Sequence, residues 1–266
     1  MKWFSGIFKM TFLSEIQYRA AAWSEIAANI FVGLIMVMIY TAFYQGSAGI
    51  PMEFSDLCSY IWLGQAFYML TSLMYQDWSL INTVRYGSVS YELVRPYDLY
   101  GFWFGRLMAF RMAGVALRLL PVLAVAALIP APYGLSLPAS GAGLFLSVVS
   151  LLFGFILATA ISMYVYIFLF RVLAAWGATT ILAAVSSFFS GAIIPIPLMP
   201  DGIQPIVNAL PFRYLGDFPY RVYTGGIEIP EAIAGIGIQV AWIVGLILLG
   251  RVLFRIASKK VVIQGG

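Results

Sequence analysis

Six stretches of the sequence are predominantly apolar over about 20 residues or more, approximately Ala22–Tyr44, Leu57–Gln76, Leu107–Leu128, Leu144–Phe170, Val172–Ile194 and Ala232–Ile256. A helix rises 1.5 Å per residue, so about 20 such residues reach across roughly 30 Å of hydrocarbon. The runs are continuously apolar and do not alternate with a period of two, which favours helices over a membrane barrel. The sequence therefore predicts an all-α membrane protein with six transmembrane helices, forming one transmembrane domain over residues 1–266. Composition agrees, because 62% of residues are hydrophobic and only 10% are charged. That leaves too little polar surface for a water-soluble domain of this size.

Orientation follows from the basic residues, which are retained on the cytoplasmic side. With the N-terminus inside, the inner segments hold Lys2, Lys9, Arg19, Arg85, Arg95, Arg106, Arg111, Arg171, Arg251, Arg255, Lys259 and Lys260. The outer segments hold only Arg213 and Arg221, and Arg118 falls within a span. This asymmetry predicts cytoplasmic termini at both ends, and it accounts for the net positive charge without a nucleic-acid footprint. Glu15, Gln17 and Arg19 interrupt any apolar core near the start, which argues against a cleavable signal peptide. Trp3, Phe4, Ile7, Phe8, Phe12 and Ile16 instead recur at helical spacing beside Lys2 and Lys9. That pattern predicts an amphipathic interfacial helix within residues 1–21, serving as an anchor or as a contact for a partner.

Several chemistries are excluded by what is missing. There is no histidine, and the single cysteine, Cys58, excludes an internal disulfide. All four lysines lie near the chain ends, and no G-x-x-x-x-G-K-[ST] phosphate loop occurs, so ATP is not hydrolysed here by that route. No metal cluster, nucleophile elbow or buried carboxylate pair suggests catalysis. No catalytic or metal-binding residue is therefore expected. An ion-driven carrier would more often place acids at mid-membrane, and none of the eleven acids is expected there.

Arg118 is the conspicuous intramembrane charge. It stands 11 residues from Leu107, or roughly 16 Å into its span, where a charge costs on the order of 2.5–3.5 kcal/mol and needs protein or water around it. No acid of the chain is expected to reach it, leaving another subunit, a carbonyl cluster or an anionic cargo group as partners. Arg111, one heptad earlier, is expected to be shallow enough to snorkel. Asn29, Gln65 and Gln239 are the other buried polar candidates, each suited to an interhelical hydrogen bond.

Two connections are unusually rich in apolar residues. The segment 77–106 contains Arg85, Arg95 and Arg106 among Tyr, Trp and Phe, more than a mere connection requires. A short helix is predicted over Ser88–Val94, broken at Arg95–Pro96 because a residue before proline avoids the helical region. The second connection, Pro195 to Glu231, is dense in Pro, Ile, Leu, Val, Phe and Tyr. Irregular backbone cannot face lipid, and such apolar surface cannot face water, so short helices re-entering the outer leaflet and packed on protein are predicted. "DGIQPIVNALPF" suits one of them, begun by Asp201 as N-cap and stopped at Leu210–Pro211.

Six spans, an interfacial helix, a structured loop after span two and a re-entrant element between spans five and six resemble the permease subunits of type-two ABC exporters. The segments "YRA" (Tyr18–Ala20), "YIWLGQAF" (Tyr60–Phe67), "ELVRPYDLYG" (Glu92–Gly101), "LRLLP" (Leu117–Pro121), "SGAIIPIPLMP" (Ser190–Pro200), "LPFRY" (Leu210–Tyr214) and "VVIQGG" (Val261–Gly266) are similar to a bacterial subfamily long labelled as of unknown function. The resemblance implies a multi-pass protein of the bacterial inner membrane, paired with a second related permease or with itself. It also implies a separate ABC ATP-binding subunit that carries ATP and magnesium, with no cofactor on this chain. Arg85, Tyr86, Gly87, Glu92, Leu93, Arg95 and Pro96 would couple to that ATPase within the cytoplasmic loop 77–106. Gly191, Pro195, Pro200, Pro211 and Phe212 would belong to an external gate within residues 191–231. Asn29, Gln65 and Arg118 are the candidates for the translocation path or for buried polar contacts, with spans one, two and five lining the path. Lipid and an amphiphilic small-molecule, lipid or peptide cargo are the remaining expected partners. The alternatives are a non-transporting sensor or scaffold that works with an ATPase, and an ion-driven secondary carrier.

Overall fold

The computed structural model describes residues 6, 9–14, 19–46, 49–94, 96–172 and 175–259. Residues 9–14 are helical, while most of the predicted interfacial helix, including Trp3, Phe4, Ile7, Phe8 and Ile16, lies outside the described residues. Among the described residues the ordered elements are all helical, with no β-strand. Among the described residues four helices are long and apolar enough to cross a membrane. We label them α1 (Arg19–Gln45), α6 (Leu99–Leu128), α7 (Gly141–Leu169) and α11 (Ile229–Ser258).

The two other expected spans take a different form. The second is divided into α2 (Phe54–Ala66) and α3 (Tyr68–Thr71), after which the backbone turns extended at Ser72. The fifth is α8 (Ala175–Phe189), whose 15 residues rise about 22 Å, short of the full hydrocarbon thickness. Apolar composition alone could not reveal either feature, because a broken helix and a continuous one carry the same residues.

α7 is the central helix, and the rest of the bundle is arranged around it. Along its face toward α11, the Gln239 amide donates to the carbonyls of Ser150 (2.9 Å) and Tyr214 (3.2 Å), while the Ser150 hydroxyl donates back to Gln239 Oε1 (3.0 Å). Gln239 thus makes the interhelical contact expected of it. Ser140 caps the first turn of α7 by accepting from the Gly143 N–H at 2.9 Å. Nearby, Ser147 donates to the Pro219 carbonyl at 2.8 Å, which seats the proline-rich segment on that end of the helix.

The proline-rich segment folds as a 3₁₀ turn (Ile196–Leu198), α9 (Gln204–Ala209), a second 3₁₀ turn (Pro211–Leu215) and α10 (Asp217–Thr224). The α9 boundary corrects the expectation at its start, because Ile203 occupies the cap position without a side-chain bond and Asp201 caps nothing. Pro205 in the first turn fixes the helical φ instead. Its end falls at Leu210, immediately before Pro211, as predicted. At the opposite end of α7 sit α4 (Trp78–Arg85) and α5 (Val89–Leu93), the latter matching the short helix predicted over 88–94.

Candidate functional site

The interruption of the second span is the key to the site. A helix end exposes carbonyls that have no partner within the helix and carries partial negative charge. Arg111 supplies both the donors and the charge, because its Nη1 donates to the carbonyls of Leu70 (3.2 Å) and Ser72 (2.7 Å). Its Nη2 donates to the Tyr75 carbonyl (3.0 Å) and to Ser162 Oγ on α7 (2.8 Å). Arg111 has no exposed surface, so it does not snorkel as expected. The snorkelling expectation failed because depth was counted along one helix, whereas α6 places Arg111 beside the broken end of its neighbour.

The chain then passes into the loop through Asp77. Its N–H donates to the Tyr166 hydroxyl of α7 (3.0 Å), and its Oδ1 accepts from the N–H groups of Ser79 and Leu80, capping α4. Its Oδ2 accepts from Arg106 Nε of α6 at 2.7 Å. α4 is thereby fastened to two long helices at its first turn. α5 is fastened separately, through Glu92 Oε2, which accepts from the Trp103 indole of α6 at 2.7 Å. Glu92 therefore holds the loop in place and does not project outward. Outward-facing surface comes from Arg85, Tyr86, Leu93 and Pro96, together with Tyr91 and Val94, while Gly87 forms the turn between the helices at φ +76°. Arg95 lies outside the described residues.

The residues flanking the interruption line two cavities. The first, of about 340 Å³, is bordered by Asn29, Met36 and Tyr40 of α1, by Tyr60 and Gln65 of α2, and by Ser186 and Ser190 at the α8 end. Asn29 and Gln65, named from the sequence, thus share one wall system built from the first, second and fifth expected spans. The second cavity, of about 450 Å³, holds Arg118 with Glu25, Met69, Tyr75, Gln76 and the indoles of Trp78 and Trp176 among its lining. Glu25 corrects the expectation that no acid reaches Arg118, since its carboxylate lies 2.8 Å from Nη2. The Tyr75 hydroxyl also donates to Glu25 Oε2 at 2.9 Å, and Arg118 Nη1 donates to the Gly114 carbonyl at 2.7 Å. The pairing was missed because the sequence does not carry how α1 and α6 are offset along their axes, and that offset brings Glu25 to Arg118.

Above the first cavity, Gly191 and Asp217 tie the proline-rich segment to α2. The Tyr60 hydroxyl donates to the Gly191 carbonyl (2.9 Å) and to Asp217 Oδ1 (3.3 Å), which also accepts from the Ile196 N–H (3.2 Å). The Asp217 N–H in turn donates to the Ser190 carbonyl at 3.0 Å. Gly191 sits at φ +79°, a left-handed conformation, and a Cβ there would collide with the Tyr60 hydroxyl. Burial pushes the Asp217 carboxyl above its ordinary pKa, with Arg221, Arg213 and the hydrogen bonds from Ile196 and Tyr60 pulling the other way. Arg221 stands 3.8 Å from Oδ2, too far for a hydrogen bond. Pro195 and Pro211 are buried beside this junction, Phe212 is half-buried and stacked on Phe189, and Pro200 is exposed. The sequence marked these prolines but missed Tyr60 and Asp217, whose single signal was an acid inside an apolar connection.

A family model for ABC-2 family transporter proteins matches residues 52–265. The chain belongs to this family. The match begins after α1 and takes in the interrupted span, the loop helices, α6, α7, α11 and the proline-rich segment, which makes the chain a type-two ABC permease. Comparison with curated proteins and with solved structures gives no match. Membership of the ABC-2 transporter family makes this a multi-pass membrane component of an ABC transporter and implies an ATP-binding subunit as its partner in general. Among the described residues no cluster of metal-ligating side chains occurs.

Proposed function

We propose that the chain is the permease subunit of an ATP-driven exporter of amphiphilic or hydrophobic cargo in the bacterial inner membrane. It works with a second related permease, or a second copy, and with a separate ATPase that carries ATP and magnesium. Six crossings are made, with α2 and α3 in series forming the second and α8 the fifth, and both termini face the cytoplasm. The exposed face of α4 and α5 receives the ATPase, and the proline-rich segment gates the outer side.

The observation that carries this reading is the connection between the loop and the cavities. α4 is bonded through Asp77 to Arg106 and Tyr166, and the preceding residues 68–76 line both cavities and are held by Arg111. A displacement of the loop helices by nucleotide-driven closure of the ATPase would therefore reach the cavity walls through bonded contacts. Coupling of this kind needs two bundle arrangements that nucleotide binding favours differently, and no covalent chemistry in this chain.

The test is accumulation of a fluorescent amphiphile in inside-out vesicles that contain the chain with its partner permease and ATPase. ATP-dependent uptake, lost when Gln65 is replaced by Leu and retained in the presence of a protonophore, is the expected result. Uptake driven by an ion gradient without ATP would contradict the proposal and favour a secondary carrier.

A further inference from the structure

The second cavity has a chemistry that the permease reading does not by itself specify. Its lining carries one cation and one anion side by side, Arg118 and Glu25. Arg118 is 7% exposed, and its Nε is buried with no partner despite the bonds made by both terminal nitrogens. Gln76, 2% exposed, leaves its Oε1 without a donor although its amide nitrogen is bonded to Leu73 and Ser162. Buried polar atoms without partners are costly and rare, so two within the lining of one cavity mark a place where a ligand completes the bonding.

The apolar part of the lining is equally selective. Trp78 and Trp176 stack with centroids 5.7 Å apart at 29°, and both are partly exposed. Indoles favour the interface between hydrocarbon and headgroups and attract cationic groups to their faces. Met69 and Met74 add polarizable, adaptable surface. A cavity of about 450 Å³ with one buried guanidinium, one half-exposed carboxylate and an aromatic pair matches a ligand that bears both charges. A purely anionic ligand would meet the Glu25 carboxylate, and a purely cationic one would meet the Arg118 guanidinium.

We infer that this cavity is a binding site for the headgroup of a zwitterionic amphiphile, whose anionic group takes the place of Glu25 at Arg118 while its ammonium sits against Glu25 and the two indoles. As a binding site it stands on the cavity alone, and its role in loading cargo rests on the proposed permease function. The ion pair between Arg118 and Glu25 then acts as a placeholder that keeps both charges satisfied.

The experiment measures binding to the purified chain in nanodiscs of anionic lipid, using dodecylphosphocholine, dodecyl sulfate and dodecyltrimethylammonium below their micellar concentrations. Saturable binding at least tenfold tighter for the phosphocholine than for either singly charged probe is expected. Glu25→Gln, which keeps an acceptor for Tyr75 and Arg118, and Trp176→Ala, at an exposed position, should each reduce that preference at least fivefold without unfolding the protein. Equal binding of the three probes, or a preference untouched by both variants, would overturn the site. Binding of chain-free glycerophosphocholine as tightly as the dodecyl probe would overturn the amphiphile part of the assignment. ATP-driven uptake is read separately, so a lost site with intact transport and an intact site without transport are distinct failures.

Discussion

Helices are interrupted at two places beside the cavities, and the two interruptions are closed by opposite kinds of side chain, a cationic donor at one and a carboxyl acceptor at the other. After α3 the exposed groups are carbonyls, and a buried arginine, Arg111, donates to them. After α8 the key exposed groups are donors, the Ile196 N–H and the Tyr60 hydroxyl, and a buried carboxylate, Asp217, accepts from them. The Arg111 charge matches the partial negative charge of the helix C-terminus it serves, and the Asp217 carboxyl supplies the acceptor that the unpaired donors beyond α8 require. The difference also separates two mechanical roles. The Arg111 interruption joins three elements through a charged fork and continues into the loop of α4 and α5, while the Asp217 junction fastens the proline-rich segment to a single residue of α2. The first has the character of a transmitting joint and the second of a latch.

The comparison is most easily broken at Arg111. Arg111→Leu removes the donor from the carbonyls of Leu70, Ser72 and Tyr75, while Ser162 Oγ keeps the Gln76 amide as its donor. Each buried group that finds no water costs about 1–3 kcal/mol. A loss of about 3 kcal/mol or more is expected, seen as loss of monodisperse protein in fluorescence-detected size exclusion. Arg111→Lys should recover part of it, since an ammonium keeps the charge but lacks the planar fork. At the latch, Asp217→Ala is expected to cost less, about 1–3 kcal/mol, and proteolysis should show the proline-rich segment opening before the bundle unfolds. Gly191→Ala should cost about 1–2 kcal/mol from the left-handed backbone alone, with a further loss from contact with Tyr60, read as a lower thermal midpoint.

The smallest effect is on pH dependence. Because the folded-state pKa of Asp217 is raised, the folded chain holds this proton more tightly than the unfolded chain. Stability from this group therefore falls as pH rises through the window between the ordinary carboxylate value and the raised one. Asp217→Asn should flatten that part of the dependence of the thermal midpoint on pH while changing little at the acidic end. An unchanged slope would mean that the carboxylate is not buried as described, and the contrast between latch and joint would lose its electrostatic basis.

The sequence made some of this legible. Apolar length identified α1, α6, α7 and α11, and the proline spacing located the segment between α8 and α11. The loop helix over 89–93 followed from Arg95–Pro96 and the aromatic content around it. Asn29 and Gln65 were visible as polar residues in greasy runs, and both line one cavity. Part of what stayed hidden depends on relative height between helices, a quantity that hydropathy does not carry. The expectations that Arg111 is shallow and Arg118 unpaired fail for this reason, whereas the break in the second span stayed hidden because a broken helix and a continuous one carry the same apolar residues. Glu92 was hidden differently, because nothing in its local sequence reveals that the Trp103 indole binds it. It is consequently a poor residue with which to test coupling.

Tyr91 and Val94 are better suited, being largely exposed on the loop helices and away from the bonds that hold them. Exposed substitutions of this kind usually change stability by less than about 0.5 kcal/mol. The decisive measurement is ATP-driven uptake by the reconstituted complex carrying Tyr91→Ala with Val94→Ala, alongside the thermal midpoint of the isolated chain. An unchanged midpoint with uptake reduced at least tenfold is expected if this face transmits the work of the ATPase to the Arg111 joint. Wild-type uptake by that variant would contradict the coupling role of the loop.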